Sequence, residues 1–478
     1  MKKIFLMSLV ALLAVSCSED TMDEINKDNS NPAVDKVGAK FMITDAIMST
    51  GYTTTSGAYA WYLSSFTEQE FGTGNNQLMK AELRNPVEVM ASSTYNNEWN
   101  GTYGNLMNIK TIIDKCTAEG SPDNGKLDIL GMAQVLEAIN FGVLTDLHGD
   151  IPCSEACKGN ENLQPSLDKQ EKVYEHIFSV LDAAISNLTE GAGLASAENQ
   201  DILFGNDNQQ WLASAYALKA RYLLHTLYRN PGVLPQVEAA AQSAIDNGFA
   251  GMYITSFNGV TCDNPWSAYV WSRCYTGCSA TVVDLMAATN DPRLDVYCPD
   301  GVYFAPGDQE GAQISACYNY PGWIDASGSI QVMSEAELYF ILAEAQARQG
   351  KDASDAFASA IKASFADFEW FAGGELGADD FIAGLGSVTL EKIMQQKYVS
   401  QIRDEQIEAY NDIRRCKALG EEFITLTNPN NIQGGSNRWP LRMPYGNSSV
   451  ISNPKIAEAY GDGYYIYTEN VWLYGGDR

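Results

Sequence analysis

The residues best suited to chemistry in this sequence lie in the stretch "VTCDNPWSAYVWSRCYTGC", which runs from 260 to 278. It combines aromatic rings with side chains that form hydrogen bonds, a combination suited to reversible ligand binding. The rings recur at steps of three, two and four residues, which fit neither a helix nor a half-buried strand, and Pro265 and Gly277 interrupt the stretch. The sequence therefore predicts a loop, whose rings either pack on the body of the protein or face a ligand. The aromatic residues are Trp266, Tyr269, Trp271 and Tyr275.

A second candidate is the stretch "TDLHGDIP", in which Asp146, His148 and Asp150 stand at alternating positions. Such a pattern could serve metal binding or acid–base catalysis. It lies at the end of a helical stretch, however, where His148 or Asp150 would satisfy free backbone groups. We expect this capping role. The sequence predicts no catalytic residue, no metal-ligand set and no cofactor, and it leaves open a structural calcium ion.

The chain begins with "MKKIFLMSLVALLAVSC". Two lysines followed by an apolar run of about a dozen residues are typical of a secretory signal peptide, and the run is shorter than a membrane span. The ending "LAVSC" resembles the lipobox of bacterial lipoproteins, which predicts a signal peptide over 1–16 and lipidation at Cys17. The polar, acidic residues that follow, 17–36, predict a flexible tether.

Ten cysteines are present, and nine remain if Cys17 carries lipid. An odd number cannot pair completely within one chain. The C-x3-C pairs at 153/157 and 274/278 lack the spacing typical of zinc sites. Disulfides between 262 and 317 and buried free thiols both remain open.

The formal net charge of −29 restricts the partners of this chain. So negative a protein is repelled by nucleic acid and by anionic membrane surfaces. The composition therefore predicts no nucleic-acid partner and favours a neutral ligand or a partner protein.

Several stretches of the sequence show helical periodicity with well-defined ends. Apolar residues recur every three or four positions in "DILGMAQVLEAINFGVLTDLHGD", and Gly149 follows the last turn. Ser334 and Glu337 have the spacing of a capping box at the start of "SEAELYFILAEAQARQG". These patterns predict a mainly α protein, and paired helices would stack as in tetratricopeptide-like arrays, although no clean repeat is visible. Residues from about 250 to 330 lack a sustained period, which predicts a loop-rich region of functional interest.

Five stretches of the sequence, together with the lipobox, resemble SusD-like proteins, the SusD/RagB family of Bacteroidetes. In the last stretch, Gly446 and Asn447 stand where these proteins often carry proline or glutamate. The stretches are "FGVLTDLHGDIPCSEA", "WLASAYALKARYLLHT", "SEAELYFILAEAQARQG", "IMQQKYVSQIRDEQIEAYNDIRRC" and "RWPLRMPYGNSSVISNP".

The resemblance implies one SusD-like domain over 37–478, built of tetratricopeptide-like helix pairs in an α-α superhelix, with a loop-rich insertion at about 250–330. It also implies a lipid-anchored outer-membrane protein that faces the cell exterior. Such a protein binds a glycan, is not an enzyme, and delivers its ligand to a SusC-like, TonB-dependent transporter. Some members bind peptides instead.

Sugar rings present flat C–H faces that match aromatic rings, while polar side chains fix their hydroxyl groups. The candidate platforms are Trp266, Tyr269 and Trp271, and the candidate hydrogen-bonding groups are Asp263, Asn264 and Arg273. Each aromatic residue could equally pack on the helical body. Further candidates in irregular segments are Trp61, Asn76, Tyr303 and Trp323.

Three other functions stay open at this point. A peptide-binding protein of the same transport type would have the same architecture. A surface glycoside hydrolase would need two carboxylates opposed across a cleft, and no motif singles out such a pair. A pure protein-binding scaffold would use the residues from 250 to 330 only for packing.

Overall fold

In the computed structural model of this chain, the described residues are 36–74, 77–308, 310–311, 319–427 and 438–478. The chain divides into a unit of residues 1–38 and a compact unit, Ala39–Arg478. The signal peptide, Cys17 and Asn76 lie outside the described residues.

Helices dominate this unit, as the periodicity predicts. In chain order they are α1 (Lys40–Ser49), α2 (Ala58–Phe66), α3 (Gln77–Glu82), α4 (Pro86–Val89), α5 (Asn96–Thr117), α6 (Leu127–His148), α7 (Gln170–Glu190), α8 (Asn208–His225), α9 (Leu234–Asp246), α10 (Pro265–Arg273), α11 (Ala280–Ala288), α12 (Leu294–Tyr297), α13 (Glu335–Arg348), α14 (Ser354–Ala372), α15 (Ala378–Leu385), α16 (Leu390–Ser400), α17 (Gln406–Ala418), α18 (Asn447–Ser452) and α19 (Pro454–Tyr460). A π-helical segment, Thr50–Thr55, continues α1. The strands are β1 (Glu70–Gly72), β2 (Met252–Ile254), β3 (Thr276–Ser279), β4 (Tyr303–Phe304) and β5 (Ile330–Met333).

The long helices pack as successive pairs. Helix α5 packs on α6, α6 on α7, α8 on α9, and α13 on α14, while α9 also packs on α13. Each amphipathic helix thereby buries its apolar stripe against its neighbours in sequence, which is how helical repeats form a continuous core. The predicted mainly α fold with tetratricopeptide-like helix pairs is confirmed.

Local signals set the ends of these helices. The side chain of Ser334 accepts a hydrogen bond from the backbone N–H of Glu337 at the start of α13, as the capping-box spacing predicts. Helix α6 stops at Gly149, whose φ of 78° suits glycine. Asp150 caps the helix that follows, since its Oδ1 accepts from the backbone N–H of Gln170 at 2.9 Å. The sequence predicts this capping role at the end of α6, whereas the structure shows Asp150 capping the start of α7.

Buried ion pairs link the helices. Arg415 on α17 forms ion pairs with Glu344 on α13 and with Asp412. Arg221 on α8 pairs with Glu337 on α13. Charges buried this deeply are tolerated only when they are paired and hydrogen-bonded. These residues hold helices together.

Among the described residues, α6 is the one helix long and apolar enough to cross a bilayer, and most of it is packed inside the protein. Its neighbours α5 and α7 cover it on both sides. The apolar composition of α6 therefore reflects its place in the core.

The segment 260–278 is not the loop that its sequence predicts. Residues Pro265–Arg273 form α10, and Thr276–Ser279 form β3. Asn264 starts the helix, because its side chain accepts from the backbone N–H of Trp266, and proline is well suited to the first helical position. The spacing of the rings does not show a helical period, because the rings lie on two faces of the helix. Trp266 and Tyr269 share one face, and Trp271 lies on the other.

In the region 250–330, the described residues form short helices and strands connected by loops and turns. Strand β3 lies between β1 and β4, antiparallel to the first and parallel to the second. Phe71 of β1 pairs with Gly277 of β3, and a side chain at Gly277 would come within 2.8 Å of the Phe304 ring. This sheet joins the segment after α2 to the segment after α10. It thereby brings two distant parts of the sequence together.

Candidate ligand-binding site

A stacked pair of aromatic rings marks the candidate site. Trp61 on α2 lies against Tyr269 on α10, with ring centroids 3.9 Å apart and ring planes at 17°. Contacts between aromatic rings are worth about 0.5–1.5 kcal/mol beyond the area they bury. The pair fixes the two helices on one side of an open cleft.

This cleft, the Trp61 cleft, has a volume of about 380 Å³ and opens to solvent. Helices α2, α5 and α10 and the π-helical segment supply its walls. Its lining includes Tyr52, Trp61, Tyr62, Asn97, Glu98, Tyr269, Ser272 and Arg273. Apolar ring surface thus lies beside hydroxyl, amide and charged groups, which is the composition expected of a small-molecule site.

The cleft carries a balanced charge. Among the lining residues that the structure describes, Glu98 supplies a carboxyl group and Arg273 a guanidinium group. Burial raises the pKa of Glu98, while hydrogen bonds from backbone N–H groups oppose that shift. Tyr62 donates a hydrogen bond to Glu88 Oε1 at 2.7 Å, which fixes the orientation of its ring. A neutral ligand with many hydroxyl groups matches this surface better than a strongly charged one.

Three of the sequence-predicted residues, Trp61, Tyr269 and Arg273, therefore meet at one cleft. They come from two segments of the chain, and no spacing in the sequence relates them. Whether they contact a ligand stays a prediction.

The proposed contact roles of Trp266 and Trp323 need correction. Trp266 is 0% exposed and Trp323 is 2% exposed, and their rings meet edge to face at 5.2 Å. Trp266 also meets the edge of Trp61. A ring without exposed surface cannot offer a platform, so these two residues support the cleft from below.

Asn264 likewise has a structural role. It is buried, caps α10, and donates from Nδ2 to the carbonyl oxygen of Gly328 at 3.0 Å. The prediction that it binds ligand is corrected, because its amide is engaged by the backbone on both sides.

The remaining candidates lie on the surface around α10. Trp271 is 62% exposed on the outer face of the helix and meets Tyr320 edge-on at 6.1 Å. Asp263 is exposed just before the helix. The pKa of Tyr52 is raised, first by the burial of its own hydroxyl group and then by the nearby charges of Cys262 and Asp263. Tyr303 on β4 is exposed. None of these three lines the Trp61 cleft.

Four residues that line the cleft were not predicted as site residues from the sequence: Tyr52, Tyr62, Asn97 and Glu98. Asn97 and Glu98 stand at the start of α5, whose Trp99 is buried as its helical face predicts. The one feature of the sequence that could have indicated Asn97 and Glu98 is that they are polar and lie away from the buried face of Trp99. That signal is weak, because any exposed helix face is polar.

The described residues include one disulfide-bonded cysteine, at the end of α10, and several free cysteines. Cys274 directly follows α10, adopts a left-handed conformation with φ of 58°, and is disulfide-bonded. The free cysteines among the described residues are Cys116, Cys153, Cys157, Cys262, Cys278, Cys298 and Cys416. Both kinds of cysteine left open by the sequence are thus present.

Within the described part of the chain, one group of side chains has the geometry to hold a metal ion: Asp146, His225 and Glu408. Nδ1 of His225 lies 3.1 Å from Asp146 Oδ2, and its Nε2 lies 2.8 Å from Glu408 Oε2. Burial by itself lowers the pKa of His225, but the charges of Glu408 and Asp146 outweigh it and raise the pKa to about 9. Both ring nitrogens then carry hydrogen at neutral pH and have no lone pair for a metal. We interpret the group as a buried ion pair that joins α6, α8 and α17.

The fold and the cleft define a class of protein, a helical-repeat protein whose short helices and strands frame an aromatic binding cleft. A family model described as "Starch-binding associating with outer membrane", of the SusD-like type, matches residues 32–446. The chain belongs to this SusD-like family.

Solved structures of SusD-like proteins are similar to this chain. A SusD/RagB family protein from Bacteroides thetaiotaomicron VPI-5482 is 33% identical over 92% of this chain and 100% of that chain, with a TM-score of 0.82. A SusD-like protein from the same organism is 20% identical over 92% and 99% of the two chains, with a TM-score of 0.73. A chitin-binding SusD homologue from Flavobacterium johnsoniae is 20% identical over 91% and 98%, with a TM-score of 0.70. The last two support the fold alone. Comparison with curated proteins finds no match.

Proposed function

We propose that this protein is a cell-surface lipoprotein that captures an oligosaccharide or polysaccharide and delivers it to a SusC-like, TonB-dependent transporter in the outer membrane. The observation that carries the proposal is the Trp61–Tyr269 stack at the edge of an open cleft lined by polar side chains. The family description, starch-binding and associated with the outer membrane, supports the ligand class and the location.

Capture requires reversible contacts and no bond cleavage. The partly exposed Trp61 ring, which stacks on the buried Tyr269 ring, offers a flat apolar surface to the C–H face of a sugar. Arg273, Asn97 and Glu98 offer hydrogen bonds to its hydroxyl groups. A few contacts of about 0.5–1.5 kcal/mol each give modest affinity. Such affinity permits release to a transporter, and it favours a ligand of several sugar units.

Hydrolysis would require a second carboxylate across the bond to be cleaved. Among the described lining residues of the Trp61 cleft, Glu98 is the one carboxylate. The composition of the cleft therefore favours binding without catalysis. The lining has one carboxylate, one guanidinium group and several hydroxyl groups, which also favours a glycan over a peptide.

The anchor is proposed from the sequence. The apolar run 1–16 and the small residue before Cys17 fit a lipoprotein signal, and the polar residues after Cys17 would separate the compact unit from the membrane. A lipid on Cys17 would hold the protein beside its transporter at the outer face of the membrane.

The test is calorimetric titration of the chain lacking residues 1–17 with starch-, chitin-, xylan- and mannan-derived oligosaccharides and with a peptide digest. The Trp61→Ala variant removes the stack, and Phe41→Ala provides a matched control, since Phe41 is an exposed ring outside the cleft. We expect one glycan to bind the parent and the control and to lose at least tenfold in affinity with Trp61→Ala. Unchanged binding by a correctly folded Trp61→Ala protein would contradict this site, and binding of peptides alone would contradict the ligand class.

A further inference from the structure

A second cleft, the Trp370 cleft, lies at the C-terminal end of α14. Its volume is about 360 Å³, close to that of the Trp61 cleft. The Trp370 ring lines it and is 57% exposed. An exposed ring on the wall of a polar cleft can serve as a platform for a ligand.

The ring of Trp370 is held by a fixed chain of contacts. It meets Phe371 at 4.6 Å with the ring planes at 83°. The guanidinium group of Arg403 lies 4.9 Å from the Phe371 ring, and its Nη2 donates to Ser329 Oγ at 2.6 Å. Because Arg403 is buried, these side-chain contacts connect the exposed Trp370 ring to the core. The platform is therefore preorganised, which lowers the entropy cost of binding.

The lining of the cleft also offers hydroxyl and carboxylate groups. Ser327, Ser329 and Thr255 line it together with Asp367, whose side chain is 17% exposed. Arg403 Nη1 lies 3.6 Å from Asp367 Oδ1, so the carboxylate is partly neutralised within the wall. A flat ring beside three hydroxyl groups and a paired carboxylate repeats the chemistry of the Trp61 cleft. It fits a neutral, polyhydroxylated ligand and offers no unpaired charge to an ionic one.

One loop connects the two clefts. Asn264, which caps the helix lining the Trp61 cleft, binds the carbonyl oxygens of Gly328 and, through its backbone N–H, Ala326. Ser327 and Ser329 of the same loop line the Trp370 cleft. The loop thus lines the Trp370 cleft, and Asn264 ties it to the helix that lines the Trp61 cleft.

We propose that the Trp370 cleft is a second carbohydrate-binding site, in which Trp370 stacks on a sugar ring and Asp367, Ser327 and Ser329 bind its hydroxyl groups. It takes only the ligand class, a neutral carbohydrate, from the proposed function. Two sites on one chain raise the avidity for a polysaccharide that reaches both, because the second contact becomes intramolecular.

The test follows individual tryptophans in the full chain in detergent. The protein is labelled with 5-fluorotryptophan, and the fluorine resonances of Trp370, Trp61 and Trp211 are assigned from Trp370→Phe, Trp61→Phe and Trp211→Phe. Hexasaccharides derived from starch, chitin, xylan and mannan are the probes. Trp211 is fully buried and serves as the internal control.

We expect a saturable shift of the Trp370 resonance with at least one hexasaccharide, and we expect that shift to persist in the Trp61→Ala variant. In affinity electrophoresis through the parent polysaccharide, Trp370→Ala should lose severalfold in retention, while Phe41→Ala retains the parent value. A Trp370 resonance that stays fixed with every probe overturns the second site. So does a shift that vanishes in Trp61→Ala, since it would then report the first cleft. A fixed Trp61 resonance beside a moving Trp370 resonance overturns the Trp61 cleft and leaves the second site standing.

Discussion

The Trp61 and Tyr269 rings stack at 3.9 Å between a helix near the N-terminus and a helix in the middle of the chain. This contact positions the wall of the candidate binding cleft. Strand β1 follows the first helix and pairs with β3, which follows the second, so the backbone holds the two helices together beside the stack.

The ring of Tyr269, rather than its hydroxyl group, should determine glycan binding. Tyr269→Ala removes the stacking partner of Trp61, and we expect about a tenfold loss of affinity for the best glycan. Tyr269→Phe keeps the ring and should stay within about twofold. Isothermal titration of both variants checks the prediction. Equal losses in the two variants would instead assign the effect to the hydroxyl group.

Trp266 should matter for stability more than any exposed ring. Its burial predicts that Trp266→Ala costs about 3–5 kcal/mol in the free energy of unfolding, through lost packing and a cavity. Trp271→Ala, on the exposed face of the same helix, should cost less than about 0.5 kcal/mol. Guanidinium denaturation of the two variants compares them directly. Similar losses for both would show that the orientation of α10 is wrong.

The buried His225 should make stability fall at alkaline pH. Asp146 and Glu408 face its two nitrogens, Tyr174 and Tyr222 lie beside it, and Arg221 lies 3.9 Å from Glu408. The pKa is about 9 in the folded protein and about 6.5 in the unfolded chain. A raised pKa means that the stabilisation is complete below about pH 6.5 and is lost as the pH rises through about 9.

Unfolding free energies of the parent and of His225→Gln, measured from pH 6 to pH 10, test this effect. The difference between the two proteins should shrink towards pH 10, because the parent loses its charged imidazole there. A constant difference across the range would contradict a protonated His225.

Metal ions should leave this ion pair unaffected. A protonated imidazole has no lone pair to coordinate a metal, so neither chelator nor added zinc should change the melting temperature at pH 7. A rise in melting temperature with zinc that His225→Gln abolishes would show a metal site at Asp146, His225 and Glu408.

Arg415 should be required for the packing of α17 on α13. Arg415→Ala leaves Glu344 and Asp412 buried with fewer partners, and we expect a loss of about 3–5 kcal/mol in the free energy of unfolding. Thermal and chemical denaturation measure the loss. Lys172→Ala, which breaks an exposed ion pair with Glu175, is the control and should leave the unfolding midpoint unchanged. A parent-like Arg415→Ala protein would contradict the structural role.

Much of the fold could be predicted from the sequence, because the signals that set helices are local. The apolar period of α6, the glycine that follows it and the Ser334–Glu337 capping box act over a few residues and need no knowledge of distant contacts. The ordered motifs along the chain indicated the family for the same reason. Helix α10 was not predicted because it is short and has aromatic rings on both faces, so its sequence shows no helical period.

The sequence alone determined the helical class, the family and the concentration of aromatic and polar residues in segments suited to binding. Only the tertiary structure decided which of those residues could meet a ligand. Trp266 and Tyr269 lie three positions apart and both belong to the core, yet Trp266 is 0% exposed, while Tyr269 is 9% exposed and lines the cleft. That difference arises from the packing of α10 against α2 and from the pairing of β1 with β3. Both bring distant segments together, and contacts of this kind are not expressed in the spacing of neighbouring residues.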